Sequence, residues 1–424
     1  MTEEIQKNKK TAMSVLIGCC VMMLCANGIT MGTAGNYLVP VAEEFGTPIS
    51  TIALYLTVQA LVMMFLMPVM GTLMAKKNPR VIATICMAFQ AAGYMLLSVW
   101  SAPWGFYISG ALIGVGAACI CYVAVPLFIN SWFRTNVGMY MGIATIFPSI
   151  GQIIFNPIST SLIASIGWRG TYQILGAFAA VVGIVFCALC LRNAPSAYGM
   201  QAYGAEAAAG QAAPALSGMT PGEVYKSKVF VPLIIATFIF GYCVSVTATI
   251  AAFVMTSKAL PLAQVGLAGM AVTAGMMVGK LVMGKMYDKF KIAPVTMLFA
   301  IFQCIGFVLC VMVYANKALL FPAMVILGIG MGGTGTITMP MVARILFGPK
   351  HYSVFYPKFT IAMGCAAALS GFLNNFIYDQ TGTYTSIFYI MAAASIVGGL
   401  IIYYAQSKQN EIHRGWETPS LAGK

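Results

Sequence analysis

The chain is built of apolar stretches long enough to cross a lipid bilayer, and little else. A helix rises 1.5 Å per residue and the hydrocarbon core is about 30 Å thick, so a span needs about 20 apolar residues. Such stretches are expected near Thr11–Tyr37, Ser50–Met74, Val81–Trp100, Trp104–Phe128, Gly138–Ile166 and Thr171–Leu191, and again near Val229–Met255, Leu262–Tyr287, Ala293–Tyr314, Leu319–Leu346, Ser353–Tyr378 and Thr383–Tyr404. With 60% hydrophobic and 8% charged residues, the chain has too few charges to cover a water-soluble core. The expected fold class is an all-α polytopic membrane protein of twelve transmembrane helices. The first ten residues, MTEEIQKNKK, run into the first stretch without a small-residue cleavage site, so that stretch is expected to remain as an uncleaved span.

The segment Arg192–Lys226, rich in Ala, Gly and Ser, reads as a flexible linker. It divides the chain into an N-terminal six-helix half, 1–191, the linker, 192–226, and a C-terminal six-helix half with its tail, 227–424. The distribution of basic residues tests this map. Of 23 Lys and Arg, Arg169, Lys258 and Lys317 fall on one face and Lys280 and Lys358 within spans; all the others share the opposite face. The positive-inside rule then expects both termini and the linker in the cytoplasm, and the chain in the inner membrane. The net charge of +13 is thereby read as an orientation signal at the bilayer rather than as a nucleic-acid surface.

The twelve cysteines lie within apolar stretches, which speaks against a disulfide framework, and Cys187-x-x-Cys190 reads as small packing residues. His351 and His413 stand without companions, so no metal site is expected; no nucleophile, base and acid set suggests an enzyme, and no cofactor is implied. Gly328-Ile-Gly330-Met-Gly-Gly333 spells a dinucleotide fingerprint, yet it lies inside an apolar run with no preceding strand. Close packing or bending of the tenth helix is the better reading.

The halves repeat at an offset of 213 to 215 residues: Gly71 answers Gly284, Phe133 answers Phe347, and Gly167 answers Gly382. Parallel six-helix repeats characterise one class of secondary transporters. Here the residues resemble the major facilitator superfamily, whose loop between helices 2 and 3 usually reads G-x-x-x-D-R-x-G-R-R. Gly284-Lys285-Met286-Tyr287-Asp288-Lys289 follows that pattern, while Gly71-Thr72-Leu73-Met74-Ala75-Lys76 has Ala75 in place of the acid. Trp132-Phe133-Arg134 with Gly138 and Gly142 is similar to the family's W-F-x-x-x-R-G-x-A-x-G-I stretch, and Pro157 with Gly167-Trp168-Arg169 to its passage between helices 5 and 6. The resemblance implies the two-domain major facilitator fold, alternating access, and gating through Gly71, Gly284, Asp288 and Lys289.

Within the superfamily the chain resembles the oxalate/formate antiporter and monocarboxylate transporter branch. Lys280 stands eight residues before Asp288, where that branch usually has Arg; Tyr122 and Tyr37 match tyrosines lining its substrate cavity; and Pro195-Ser-Ala-Tyr-Gly199 with Tyr203-Gly204 is similar to its linker pattern. Lys358 stands earlier in helix 11 than the branch lysine. The resemblance implies a small organic anion as substrate, moved by antiport against a counter-anion or by symport with a proton.

The residues themselves point the same way. A lysine at a helix centre costs roughly 3 kcal/mol. Lys280 lies about 12 Å of helix inside Asp288, and no span interior contains an acid to pair with it. An unpaired cation awaiting an anion accounts for it. Lys358 follows Pro357, which fits a first helical turn, so it belongs either to the cavity or to the interface. Tyr37, Gln59, Tyr122, Gln152, Tyr242 and Tyr356 are candidate hydrogen-bonding partners of a carboxylate, against the plainer reading of contacts between helices. The alternative function is a facilitator-type exporter of a neutral or cationic solute or drug, though proton-driven cation export generally wants an intramembrane carboxylate. A monomer in the lipid bilayer is expected. Labelling of cysteines introduced into both termini and into the linker, applied from outside intact cells, should leave all three unmodified; strong external labelling of the linker would overturn the map.

Overall fold

A computed structural model describes residues 2–204, 218–256, 262–287, 289–348 and 351–413. Among these the secondary structure is helical, apart from one isolated parallel bridge between Phe133 and Tyr203. Eight helices are long and apolar enough to span a membrane, and the pair Phe230–Ser245 and Thr247–Thr256, bent by 42°, makes a ninth span. One of the eight, Met139–Cys190, has 52 residues, about twice what a bilayer needs. Gly167 breaks it with φ 75° and ψ 170°, a conformation open essentially to glycine, so this element is two spans. Pro79–Leu96 and the succession Pro103–Cys119, Ile120–Ala124 and Val125–Trp132 supply the remaining two.

The twelve spans are accordingly α1 (Asn8–Phe45), α2 (Ile49–Lys76), α3 (Pro79–Leu96), α4 (Pro103–Cys119, continued to Trp132), α5 (137–166), α6 (168–190), α7 (Phe230–Ser245 with Thr247–Thr256), α8 (Leu262–Tyr287), α9 (Ile292–Met312), α10 (Leu320–Thr336 with Thr338–Phe347), α11 (Tyr352–Thr381) and α12 (Thr385–Ser407). Sequence reasoning ended the first span at Tyr37; the structure carries it to Phe45. Pro40 stands third in the fresh turn Leu38–Phe45, where its missing N–H costs no hydrogen bond. In α4 the six residues before Pro126 include the π-helical turn Ile120–Ala124, the widening by which a helix accommodates such an insertion. Large apolar side chains such as Phe65 (70% exposed) and Val181 (65%) point outward, as they do when the surrounding solvent is lipid.

The chain forms two compact units: Met1–Ala212 with Ala248–Met270, and Ala213–Thr247 with Ala271–Lys424. The far end of α7 and the first turns of α8 therefore belong with the N-terminal helices. In the first unit, a Cβ on Gly35 of α1 would stand 2.4 Å from the carbonyl oxygen of Ala248, and one on Gly266 of α8 would stand 2.6 Å from the Cα of Pro157 in α5. Only glycine lets these backbones meet. Within the same unit α1 and α5 touch through Gly28 and Gly151, whose added Cβ atoms would fall 2.7 and 2.8 Å from the opposing Cα.

The second unit is organised by a seam between α8 and α10. A Cβ on Gly279 would sit 2.2 Å from the carbonyl oxygen of Ile329, and one on Gly328 would sit 2.1 Å from that of Val272. Gly275 and Gly332 continue the contact, while Gly330 faces the backbone nitrogen of Gln303 in α9. The fingerprint-like glycines of α10 are thus close-packing positions. Lipid tails are as apolar as side chains, so membrane helices associate through such small-residue contacts rather than through burial of apolar area.

The repeat landmarks share local features. Gly167 and Gly382 both have positive φ, at 75° and 69°. Phe133 and Phe347 are both buried, and each meets a ring in the helix that follows, Tyr140 at 4.1 Å and Phe355 at 5.5 Å between centroids. The linker docks on these positions. In the first unit Tyr203 N donates to Trp132 O at 2.8 Å and Arg134 N donates to Tyr203 O at 2.9 Å; in the second, Met219 N donates to Phe347 O at 2.9 Å. Residues 205–217, the Ala-rich centre of the linker, lie outside the described residues.

Replacement of Gly279 by Val should lower the thermal midpoint of the purified protein by several degrees, because overpacking typically costs 1–3 kcal/mol. Gly142→Ala, where an added methyl meets open space, should leave it unchanged or raise it. Equal midpoints for Gly279→Val and wild type, followed by differential scanning fluorimetry in one detergent, would remove the seam as a determinant of stability.

Candidate functional site

Lys280 follows Gly279 in α8, so it lies about 100° around the helix from the glycine seam. Its side chain is half-buried and makes no ion pair among the described residues. The seam holds the backbone beside it, and the cation is left at the flank of the α8–α10 contact. Asp288 lies outside the described residues, and Lys289 is exposed. At Gly71 and Gly284 an added Cβ would meet nothing within 4 Å, so neither of these gating candidates is a close-approach point here.

Lys358 is placed by the end of the linker. The short helix Pro221–Lys226 begins at a capping box, in which Glu223 accepts from both the backbone N and the hydroxyl of Thr220 at 2.8 and 2.9 Å. This presents Tyr225, whose ring centre lies 3.9 Å from Lys358 Nζ, a cation–π contact. Lys358 is exposed, and Pro357 is in the second turn of α11 rather than the first, because the helix already starts at Tyr352. Tyr356 stacks on Phe359, with centroids 6.2 Å apart.

Tyr37 is 1% exposed and enclosed by aromatic rings of the first unit. It stacks on Tyr172 at 3.8 Å between centroids, and its hydroxyl and that of Tyr94 are 3.0 Å apart. Gln59 is buried in α2, and its carbonyl oxygen would be 2.6 Å from a Cβ on Gly114 of α4. Tyr122 lies in the π-helical turn of α4, but its side chain is outside the described residues. Tyr242 donates to Asn374 Oδ1 at 2.8 Å within the second unit.

Sequence reasoning missed the buried amides. In the first unit Asn36 donates to Asn156 Oδ1 at 3.0 Å and to Ser159 Oγ at 2.7 Å. Gln90 donates to Thr30 Oγ1 at 2.7 Å and to Ala26 O at 2.8 Å. Its repeat counterpart in the second unit, Gln303, accepts from Thr334 Oγ1 at 3.1 Å. Both glutamines are fully buried, and each keeps one polar atom without a partner among the described residues, Oε1 of Gln90 and Nε2 of Gln303. The signal was available, since amides within apolar runs at an offset of 213 mark equivalent polar positions. Among the described residues no three His, Cys, Asp or Glu side chains come together as a metal site, and the cysteines are free thiols.

Known proteins agree with this architecture. The sequence profile of the Major Facilitator Superfamily matches residues 19–356 and 233–419. Among curated proteins, an uncharacterized MFS-type transporter of Bacillus subtilis (strain 168), YcxA, is 33% identical over 90 residues, and an MFS-type transporter of Phoma sp, eupM, is 30% identical over 86. These matches span 21% and 20% of this chain, and 22% and 30% of the two relatives. In fold, the chain is similar to the nucleoside transporter NupG, with a TM-score of 0.71 at 14% identity over 93% of this chain and 99% of that one. It is likewise similar to a bacterial homolog of the human lysosomal transporter Spinster, in an inward-facing and occupied conformation, with a TM-score of 0.69 at 12% identity over 96% and 97% of the two chains. The profile covers most of the sequence and the fold likenesses nearly all of it: the protein belongs to the major facilitator superfamily of alternating-access transporters.

Proposed function

We propose that this transporter carries a small organic anion of the mono- or dicarboxylate class, with Lys280 holding its negative charge. The observation that carries the reading is a half-buried lysine in a membrane span with no ion pair among the described residues. A cation there is costly unless it reaches water or an anion. The electrostatics also supply a reason for obligatory loading. An empty site leaves a hydrated cation that resists being closed away from water, whereas a bound carboxylate neutralises it, so the loaded form changes state more readily.

Span interiors carry no Asp or Glu, which supports exchange for a counter-anion or entry of a proton with the substrate over a dedicated carboxylate relay. Lys358, facing Tyr225, is assigned to the interface, where it steadies the end of the linker. The basic face, including both termini and the linker, is placed in the cytoplasm, and the protein in the inner membrane as a monomer. Gly71, Gly284, Asp288 and Lys289 are assigned to the moving ends of the gate.

The test is ligand-induced thermal stabilisation of the purified protein against a panel of mono- and dicarboxylates, with uptake into proteoliposomes in parallel. At a hundred times Kd a ligand adds about 2.7 kcal/mol to the stability of the state it binds. Lys280→Gln should keep the ligand-free midpoint while losing the stabilisation and the transport. Lys280→Arg should keep part of both, since charge survives while geometry changes, and Lys358→Gln should do less harm. Undiminished stabilisation of Lys280→Gln by the same anion would remove Lys280 from the site. Uptake of a neutral or cationic solute with no response to any carboxylate would establish the exporter class instead.

A further inference from the structure

In the second unit a cavity of about 560 Å³ lies between the start of α9 and the end of α12. Its floor is Tyr287, Ile292 and Ile345; its polar wall is Lys291, Gln406, Gln409 and Asn410. Lys291 is exposed and makes no ion pair among the described residues, and Lys289 is exposed two positions before it. Glu411, which follows the lining residue Asn410 in the chain, is engaged by Lys408 at 3.2 Å. The start of α9 adds the positive end of its dipole rather than a set of free amides: Gln406 Oε1 already accepts from Ala293 N, and Pro294 has no N–H. Cations, amide side chains and a helix dipole meet at one end of a membrane span.

A second cavity, of about 470 Å³, continues from the first. Pro294 and Tyr403 line both, and beyond them the wall is Met297, Leu298, Ile301 and Leu400, with no charged group. These side chains open outward, Ile301 at 41% and Leu400 at 54% exposure, so the furrow faces the lipid. Lys291 and Ile301 are ten residues apart, about 15 Å of helix, which is half the hydrocarbon thickness and therefore one leaflet.

We propose that this composite furrow between α9 and α12 is a binding site for an anionic phospholipid, its phosphate against Lys291 and an acyl chain along Leu298 and Ile301. The basic end gives preference for anionic over zwitterionic headgroups, as basic recesses at membrane surfaces do. The apolar extension distinguishes a lipid from a free phosphate, which has nothing to place there. The site shares no residue with the proposed anion site at Lys280, so its test is independent of the transport reading.

The experiment is native mass spectrometry and thermal unfolding of the delipidated full-length protein, with dioleoyl phosphatidylglycerol or dioleoyl phosphatidylcholine added in turn. Wild type should retain phosphatidylglycerol severalfold over phosphatidylcholine and show a raised midpoint with the former. Lys291→Glu should lose both effects while keeping the lipid-free midpoint, because the side chain is exposed. Ile301→Trp, which fills the apolar part, should also lose them although Lys291 is intact. Lys77→Glu, an exposed lysine of the first unit, should keep them. Equal retention of phosphatidylglycerol by Lys291→Glu and wild type would overturn the proposal, and so would an equal midpoint shift produced by glycerol 1-phosphate alone.

Discussion

Close approach of helix backbones at glycine is the contact on which the rest of this structure depends. Lipid offers no driving force for burying one apolar surface against another, so van der Waals contact between well-matched surfaces has to hold the helices. The distances at Gly279 and Gly328, where a Cβ would fall 2.2 and 2.1 Å from an opposing carbonyl oxygen, leave no room for any other residue. The seam fixes the rotation of α8 about its own axis, and with it the direction in which Lys280 leaves the backbone. The same kind of contact at Gly35 and Gly266 explains why the end of α7 and the start of α8 belong with the N-terminal helices.

Polar groups complete what the glycines begin. Asn36, Asn156 and Ser159 bond to one another across α1 and α5, and Gln90 bonds to the backbone and side chains of α1. Each such group would be costly in hydrocarbon if left alone, so the bonds select one register between helices that are otherwise uniformly apolar. Tyrosines 37, 94 and 172 pack together: Tyr37 stacks on Tyr172, Tyr94 meets both rings edge-on, and the hydroxyls of Tyr37 and Tyr94 lie 3.0 Å apart. At the linker, backbone hydrogen bonds run to Trp132 and Arg134, on either side of Phe133, and to Phe347, so the connecting segment is held at corresponding places in the two halves.

Much of this could be read from the chain itself. Run lengths and the scarcity of charge determined twelve spans, because the thickness of the bilayer sets the length of a helix that crosses it. The offset of 213 to 215 residues located corresponding positions, and Gly167 and Gly382 turned out to share a positive φ, although ψ is 170° at the first and 7° at the second. The glycines of α10 were recognisable as packing positions from their apolar surroundings. Lys280 stood out because a charge inside an apolar run has no ordinary explanation.

Which surfaces meet was decided only by the tertiary structure. A soluble helix shows its buried face as an apolar stripe, but a membrane helix is apolar all round, so Gly279 announces a close neighbour without naming Ile329. Lys358 is the sharper case: the sequence left it between cavity and interface and gave no sign of Tyr225, 133 residues earlier, whose ring a capped helix from the linker brings to within 3.9 Å of its Nζ. Contacts between residues so far apart arise from the packing of whole helices, and the local pattern around either residue carries no trace of the other.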